Sequence, residues 1–247
     1  MHSTSALLMQ SVIALFEYNR ALQIEMGCPK EKTMIIPNGV DVDYYASHSS
    51  ASTDGMGTDP KMIRIGATAR SVPIKDIKTM IIAFETAMQR VENLELVILG
   101  PTEEDVSYYQ EVLTLIDEFK LRNVSILGRV DVKSYLPTFD IMLLTSISEG
   151  QPLAVLEGMA AGIPQICTNV GSCKELLFGM NQDELGHCGI IVPVMDVEKI
   201  AGAIEVLALD GLLRLQMGKI GYERVKATYQ KKDFLDQYEA LYNDIMA

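Results

Sequence analysis

Basic residues are scarce in this chain. Its 247 residues hold 21 Lys and Arg against 33 Asp and Glu, a formal charge of −12. That deficit excludes a nucleic-acid binder, which works through basic surface, and equally excludes docking on anionic lipid. Histidine and cysteine are few as well. The three histidines are scattered, and Cys28, Cys167, Cys173 and Cys188 form no C-x-x-C pair. The cysteines read as reduced structural thiols of a cytosolic (cytoplasmic) protein. His187 and Cys188 adjoin, but two side chains do not make a metal centre. No apolar run approaches the ~20 residues that a membrane helix needs. The run Ala6-Leu7-Leu8-Met9 has no Lys or Arg before it and is interrupted by Gln10 and Glu17, so it reads as the edge of a folded domain rather than a leader. There is no G-x-G-x-x-G, no Walker lysine loop and no Ser/His/Asp set, so no nicotinamide or other cofactor is expected. Asp41-Val42-Asp43 has the D-x-D form but follows an Asn-Gly turn well before the main apolar runs, and no metal is expected there.

What is present is ordinary for a globular protein: 48% apolar and 22% charged residues. A chain of this length buries roughly 70–75% of its unfolded surface and needs no staples. Residues 61–210 alternate short apolar runs with helical patterns. The strand-like runs are 62–68, 94–99, 124–127, 141–145, 164–168 and 189–192. Helical stretches fall near 76–91, 103–120, 132–137, 152–161, 172–178 and 196–209. Several strands are apolar throughout, as expected when helices cover both faces of a sheet. The pattern predicts an α/β fold with a doubly wound, mostly parallel Rossmann-like sheet. Short strands at 10–16 and 33–36 flank a helix at about 17–27. A polar stretch from 48 to 60 reads as a linker. Two helices follow near 211–228 and 232–246, the second with Phe234, Leu235, Tyr238, Leu241, Tyr242 and Ile245 at helical spacing.

In a doubly wound sheet, ligands bind beyond the carboxyl ends of the strands. Arg70, Gly100, Gly128, Glu149 and Gly171 fall at that edge. The segment Ser146-Ile147-Ser148-Glu149-Gly150-Gln151-Pro152-Leu153 reads as strand, loop and helix start, with Pro152 in the first helical turn, where its missing N–H costs nothing. Glu157 then stands about a turn and a half into the helix. Free backbone N–H groups and the positive helix end suit an anion. The two carboxylates suit hydroxyl donors instead. Anion plus hydroxyls describes a sugar nucleotide. Arg70 and Lys75, in Arg70-Ser71-Val72-Pro73-Ile74-Lys75-Asp76, would neutralise a diphosphate leaving group; the alternative is two solvated loop cations. Glu149 and Glu157 also have an alternative as a loop charge and an exposed helix residue. Gly128-Arg129-Val130 ends a strand on the same edge, where backbone groups would read a nucleobase; the alternative is a plain strand end. Ser172 and Glu175 have the spacing of a capping box at the start of the next helix; the alternative is that this corner walls the phosphate pocket.

Together with Ile36-Pro37-Asn38-Gly39-Val40-Asp41, Glu157-Gly158-Met159-Ala160-Ala161-Gly162 and Asn169-Val170-Gly171-Ser172, these segments resemble the C-terminal, donor-binding half of family 4 glycosyltransferases of the GT-B fold, nearest the PelF-like branch linked to exopolysaccharide synthesis. The resemblance covers nearly the whole chain. It implies transfer of a hexose from a UDP-sugar, UDP-glucose in the PelF-like branch, with retention and without metal, to a polysaccharide or other acceptor. It implies that Arg70 and Lys75 hold the diphosphate, that Glu149 meets the transferred sugar and Glu157 the ribose, and that the backbone of Gly150 and of Gln151 to Leu153, Pro152 included, together with Arg129 and Val130, completes the donor site. By it, residues 1–45 are a remnant of the N-terminal domain, 46–60 a linker, 61–231 the donor domain and 232–247 a helix crossing back. The fragment alone would lack full activity, and its partners would be the nucleotide-sugar donor and the missing domain. The apolar faces of residues 6–16 and of the last helix are expected to be exposed or covered by self-association. A UDP-sugar epimerase half and a non-catalytic sugar-nucleotide module remain alternatives.

Overall fold

A computed structural model of the chain describes residues 10–48, 62–179 and 183–246. Most of the stretch expected to be a linker, and residues 6–9 of the apolar start, lie outside the described residues. A small parallel sheet comes first: β1 (Val12–Ala14) and β2 (Thr33–Ile35), with α1 (Glu17–Glu25) between them. The main sheet holds β3 (Ile63–Thr68), β4 (Leu94–Leu99), β5 (Val124–Ile126), β6 (Ile141–Leu144), β7 (Gln165–Thr168) and β8 (Gly189–Val192). Its order is β5-β4-β3-β6-β7-β8, all parallel.

This order decides where function can sit. The chain runs outward from β3 through β4 to β5, then returns to pair β6 against the other side of β3. The crevice at the carboxyl ends of β3 and β6 is therefore the topological switch point.

The helices are α2 (Val42–His48), α3 (Ile77–Met88), α4 (Val106–Glu118), α5 (Val132–Tyr135), α6 (Leu153–Ala160), α7 (Cys173–Phe178), α8 (Val197–Leu209), α9 (Gly211–Thr228) and α10 (Lys231–Met246). Two cores result, one on each sheet face. Ile65, Ala67, Leu94, Leu96, Ile98 and Ile141 pack against α3, α4 and α8. Val97, Leu99, Met142 and Cys167 pack against α2, α6, α7 and α9. Successive residues of β4 thus enter opposite cores, which is why the strand reads as an unbroken apolar run. Gly158 belongs to this close packing: a Cβ there would press on Gln165 and Met142, so its absence lets α6 sit against the sheet.

The acidic excess has a local use. Asp41, Asp76, Asp105, Asp131, Asp196 and Asp210 each accept a backbone N–H of the helix they precede, from Tyr44, Thr79, Tyr108, Lys133, Lys199 and Leu213 respectively. Each such cap is worth about 1 kcal/mol. The helix expected near 103–120 begins only at Val106, because Asp105 rather than an earlier residue supplies the cap.

The two ends differ in cover. Ala14 and Phe16 are buried, because α1 and β2 pack on β1, so residues 12–16 are not the exposed apolar face that was expected. The final helix, α10, has no buried residue, and Leu235, Tyr242 and Ile245 are exposed. All four cysteines are buried and free. No helix among the described residues is long and apolar enough to cross a membrane.

Candidate functional site

The loops that follow β3 and β6 are stitched together at the switch point. Thr145 Oγ1 donates toward the carbonyls of Lys75 and Asp76, 3.1 Å from each. Ile147 N–H donates to Ile74 O at 2.9 Å. Asp76 is strained to hold this turn, with φ +47° and ψ +49°, and caps α3 from that conformation. Lys75 Nζ then reaches Glu149 Oε1 at 2.5 Å, and Ser146 Oγ donates to the same oxygen at 2.7 Å. The ion pair is well covered: the two side chains are 19% and 12% exposed.

Arg70 leaves the same loop toward the other side. Its Nη1 lies 2.6 Å from Glu104 Oε2. Arg129, at the end of β5, meets Glu103 Oε1 at 2.5 Å. Both glutamates come from the loop after β4, the strand between β3 and β5. These pairs are exposed, at 51% and 34% for Arg70 with Glu104. Arg129 holds the Glu103 carboxyl below its usual range by direct hydrogen bonding. Solvent screens exposed pairs of this kind, so either arginine opens toward an anion at little cost.

The helix start differs slightly from expectation. Pro152 is the N-cap and α6 begins at Leu153, which is exposed. The proline has no N–H, so the donors of this turn are those of Leu153 and Ala154, which have no partner within the helix. Gln151 is buried and engaged with Asn38: its Oε1 accepts Asn38 N–H at 2.6 Å and its carbonyl accepts Asn38 Nδ2 at 3.2 Å. Gly171, at φ +51°, lies so close that a Cβ there would overlap the carbonyl oxygens of Glu149 and Gly150. Ser172 N–H donates to that Gly150 carbonyl at 2.9 Å. The capping box expected at Ser172 and Glu175 does not form. Ser172 makes no side-chain cap, having near-helical dihedrals already, and Glu175 turns to the start of α1, where Tyr18 N–H stands 3.5 Å from its Oε1.

Glu157 stands further along α6, half buried. Tyr45 of α2 and Lys133 of α5 both favour its charged form. Burial nevertheless raises its carboxyl above the usual carboxylate range. Tyr45 is 3% exposed, and its phenol is pushed up by burial and by the Glu157 charge. Lys133 Nζ lies 4.2 Å from the centre of the Tyr44 ring. Val130, half buried, packs on the same core as Tyr45.

The expected residues thus divide into two groups along one edge. Lys75, Glu149, Gly150 and the α6 start meet at the switch point. Arg129, Val130 and Glu157 lie toward β5, with Arg70 between, bound to the β4 loop. Sequence reasoning missed Tyr45, Lys133, Glu103, Glu104 and Asn38. The Asp41 cap followed by Val42 and Tyr45 at i, i+3 was the available signal for α2. Four buried polar atoms have no hydrogen-bond partner among the described residues and belong to this edge: Thr68 Oγ1, Ser71 Oγ, Asp76 Oδ2 and Ser172 Oγ. Buried polar groups are ordinarily satisfied, so their grouping marks a place prepared for polar company. Two cavities, of about 420 and 550 Å³, lie elsewhere. Glu85, Met88, Phe119 and Arg122 line the first, and Glu17, Pro37, Glu175 and Gln237 the second.

Comparison with known proteins adds the following. A family model described as "Glycosyl transferases group 1" matches residues 59–210. The N-acetyl-alpha-D-glucosaminyl L-malate synthase of Bacillus anthracis is 30% identical over 174 residues, 70% of this chain and 43% of that protein. Anabaena HepE, solved in complex with UDP and glucose, has a TM-score of 0.78 at 20% identity, covering 98% of this chain and 67% of that one. The C-terminal domain of a group 1 family glycosyl transferase (LpcC) from Francisella tularensis has a TM-score of 0.64 at 22% identity, covering 78% of this chain and 99% of that one. The fold is the α/β arrangement of GT-B glycosyltransferase structures. The chain spans about half the length of the curated relatives it matches, 43% of the Bacillus anthracis protein among them.

Proposed function

Because the chain belongs to the glycosyl transferases group 1 family, we propose that its switch-point crevice binds a nucleotide-sugar donor and that it acts as the donor domain of a hexosyltransferase. In this reading Arg70 and Lys75 take the diphosphate and stabilise the negative charge that grows on it as the bond between the sugar's anomeric carbon and the phosphate oxygen breaks. Glu149 exchanges its ammonium partner for hydroxyls of the transferred sugar. Glu157 accepts from the ribose, and Arg129 with Val130 flanks the base. The Leu153 and Ala154 N–H groups face the donor at the α6 start. The observation that carries the reading is the covered Lys75–Glu149 pair across the crevice between β3 and β6.

The finer assignments are proposals on the same footing. The donor is UDP-glucose, a choice in keeping with the UDP and glucose held by the HepE structure. Transfer proceeds with retention and without metal, in a PelF-like exopolysaccharide role in the cytoplasm. Residues 1–45 and 232–247 belong with a second domain that supplies the acceptor site, and residues 46–60 link the parts.

Calorimetric titration with UDP and UDP-glucose tests the reading. The wild-type chain should bind, and Arg70→Ala and Lys75→Ala should each weaken binding about tenfold or more, as expected for loss of a charge-assisted contact. Equal affinity in all three proteins would reject the site.

A further inference from the structure

We propose that Ser146 is a positioning residue for the transferred sugar: its hydroxyl anchors the Glu149 carboxylate at Oε1 while Lys75 leaves for the diphosphate, so that Oε2 stays available to sugar hydroxyls. The inference rests on the donor-site reading above and deepens it, naming what holds Glu149 once its ammonium partner has gone.

Ser146 follows the carboxyl end of β6 and is 2% exposed. The peptide unit that joins it to Ile147 is clamped from both sides. The carbonyl accepts from Thr168 Oγ1 at 2.7 Å, at the end of β7. The N–H, on Ile147, donates to Ile74 O at 2.9 Å, in the loop after β3. A side chain this short, on a backbone held this way, has few places to put its hydroxyl. That hydroxyl lies 2.7 Å from Glu149 Oε1.

The neighbouring hydroxyls have other work. Thr145 and Thr168 are buried like Ser146. Thr145 Oγ1 turns to the carbonyls of Lys75 and Asp76, and Thr168 Oγ1 to that of Ser146. Each threonine gives its proton to neutral backbone and ties one loop to the next. Ser146 gives its proton to a charged side chain, a bond roughly twice as strong as one between neutral groups.

The bonds of that carboxylate are one-sided. Lys75 Nζ and Ser146 Oγ both meet Oε1, and Oε2 has no hydrogen-bond partner among the described residues. A carboxylate accepts at both oxygens. In the donor complex Lys75 turns to the diphosphate, and Ser146 becomes the fixed donor that remains. Without it the glutamate side chain would follow the ammonium or would have to be ordered by the sugar, and that cost would be taken from affinity. A ligand that lacks the sugar does not meet this cost. Ser146 therefore acts on the sugar and not on the nucleotide.

The test measures the two ligands separately. Calorimetric titration with UDP and with UDP-glucose gives two dissociation constants for each protein, and the ratio of the second to the first isolates the sugar. In Ser146→Ala this ratio should rise about five- to tenfold over wild type, the scale of a hydrogen bond to a charged group, while UDP alone stays within about twofold. Ser146→Cys keeps the shape but carries a weak donor, and should raise the ratio likewise. In a Glu149→Ala background the same Ser146→Ala change should leave the ratio where it was, because the group it positions is gone. An unchanged ratio in Ser146→Ala or Ser146→Cys, both ligands weakened alike, or an equal rise with Glu149 absent would make Ser146 a packing residue. Any of these would overturn the inference while leaving the donor site standing. A wild-type chain that binds neither ligand would overturn the donor-site reading and this inference with it.

Discussion

Replacing Lys75 with methionine keeps most of the side-chain volume and removes the charge that faces Glu149. The cost follows from exposure. Solvent-exposed pairs contribute about 0–1 kcal/mol, whereas breaking a buried pair costs about 3–5 kcal/mol because the surviving charge is stranded. Lys75 and Glu149 are 19% and 12% exposed, so the pair lies between these limits, nearer the second. Ser146 Oγ still donates to Glu149 after the change and relieves part of the loss. The expected destabilisation is about 2–3 kcal/mol after discounting for residual solvent. For a domain of this size each kcal/mol moves Tm by about 2–4 °C, giving a fall of about 4–12 °C. Glu149→Gln retains an acceptor for both donors and should cost about 1 kcal/mol. The double variant should be close to Glu149→Gln alone, which puts a coupling of about 2 kcal/mol in the double-mutant cycle. Urea denaturation followed by far-UV circular dichroism reads all four corners. Arg70→Met, which breaks the exposed pair with Glu104, is the internal reference and should cost under about 1 kcal/mol. Equal costs for Lys75→Met and Arg70→Met, or a coupling indistinguishable from zero, would refute the claim that the switch point holds a preorganised pair.

Two further outcomes follow from the same edge. Burial raises the Glu157 carboxyl above its unfolded value, so the folded state favours the protonated form. The associated stability is complete below the unfolded pKa and is lost as pH rises through the folded one. Glu157→Gln should therefore raise Tm at pH 7.5 and give little gain near pH 4, a difference that scanning calorimetry reads; a gain that grows on acidification would contradict the burial. Gly171→Ala should destabilise by at least about 1–2 kcal/mol, since the position is left-handed and its Cβ would overlap the Glu149 and Gly150 carbonyls. Thermal melts measure that cost, and an alanine variant as stable as wild type would mean that the two loops do not touch.

The main sheet was legible because its strands are buried on both faces and so carry unbroken apolar runs, as in Leu94–Leu99. Helix starts were legible to within a few residues because aspartates mark them. The junction at Glu149 was legible from Gly150, Gln151 and Pro152. Its partner choice was not: that Lys75 rather than Arg70 faces Glu149 depends on the left-handed turn at Asp76, which no periodicity announces. Helix α2 escaped because only Val42 and Tyr45 mark its apolar side before a polar stretch begins. Gln151 was expected to face a ligand through its backbone, but nothing local says that its side chain serves Asn38, more than a hundred residues away. Ser172 and Glu175 have capping-box spacing, yet a tertiary neighbour, the start of α1, draws the glutamate off.

Arg70, Lys75 and Arg129 each hold a carboxylate of the chain's own. An incoming anion must evict an occupant before it gains a contact. A chloride or an orthophosphate swaps one neighbour for another at nearly even exchange. On the proposed reading, a pyrophosphate carrying sugars would trade places with several at once, and its hydroxyls would occupy the glutamate that Lys75 leaves behind. At such a donor site the rim would sort ligands by whether they can replace the covered Lys75–Glu149 pair, since the exposed arginine pairs open at little cost.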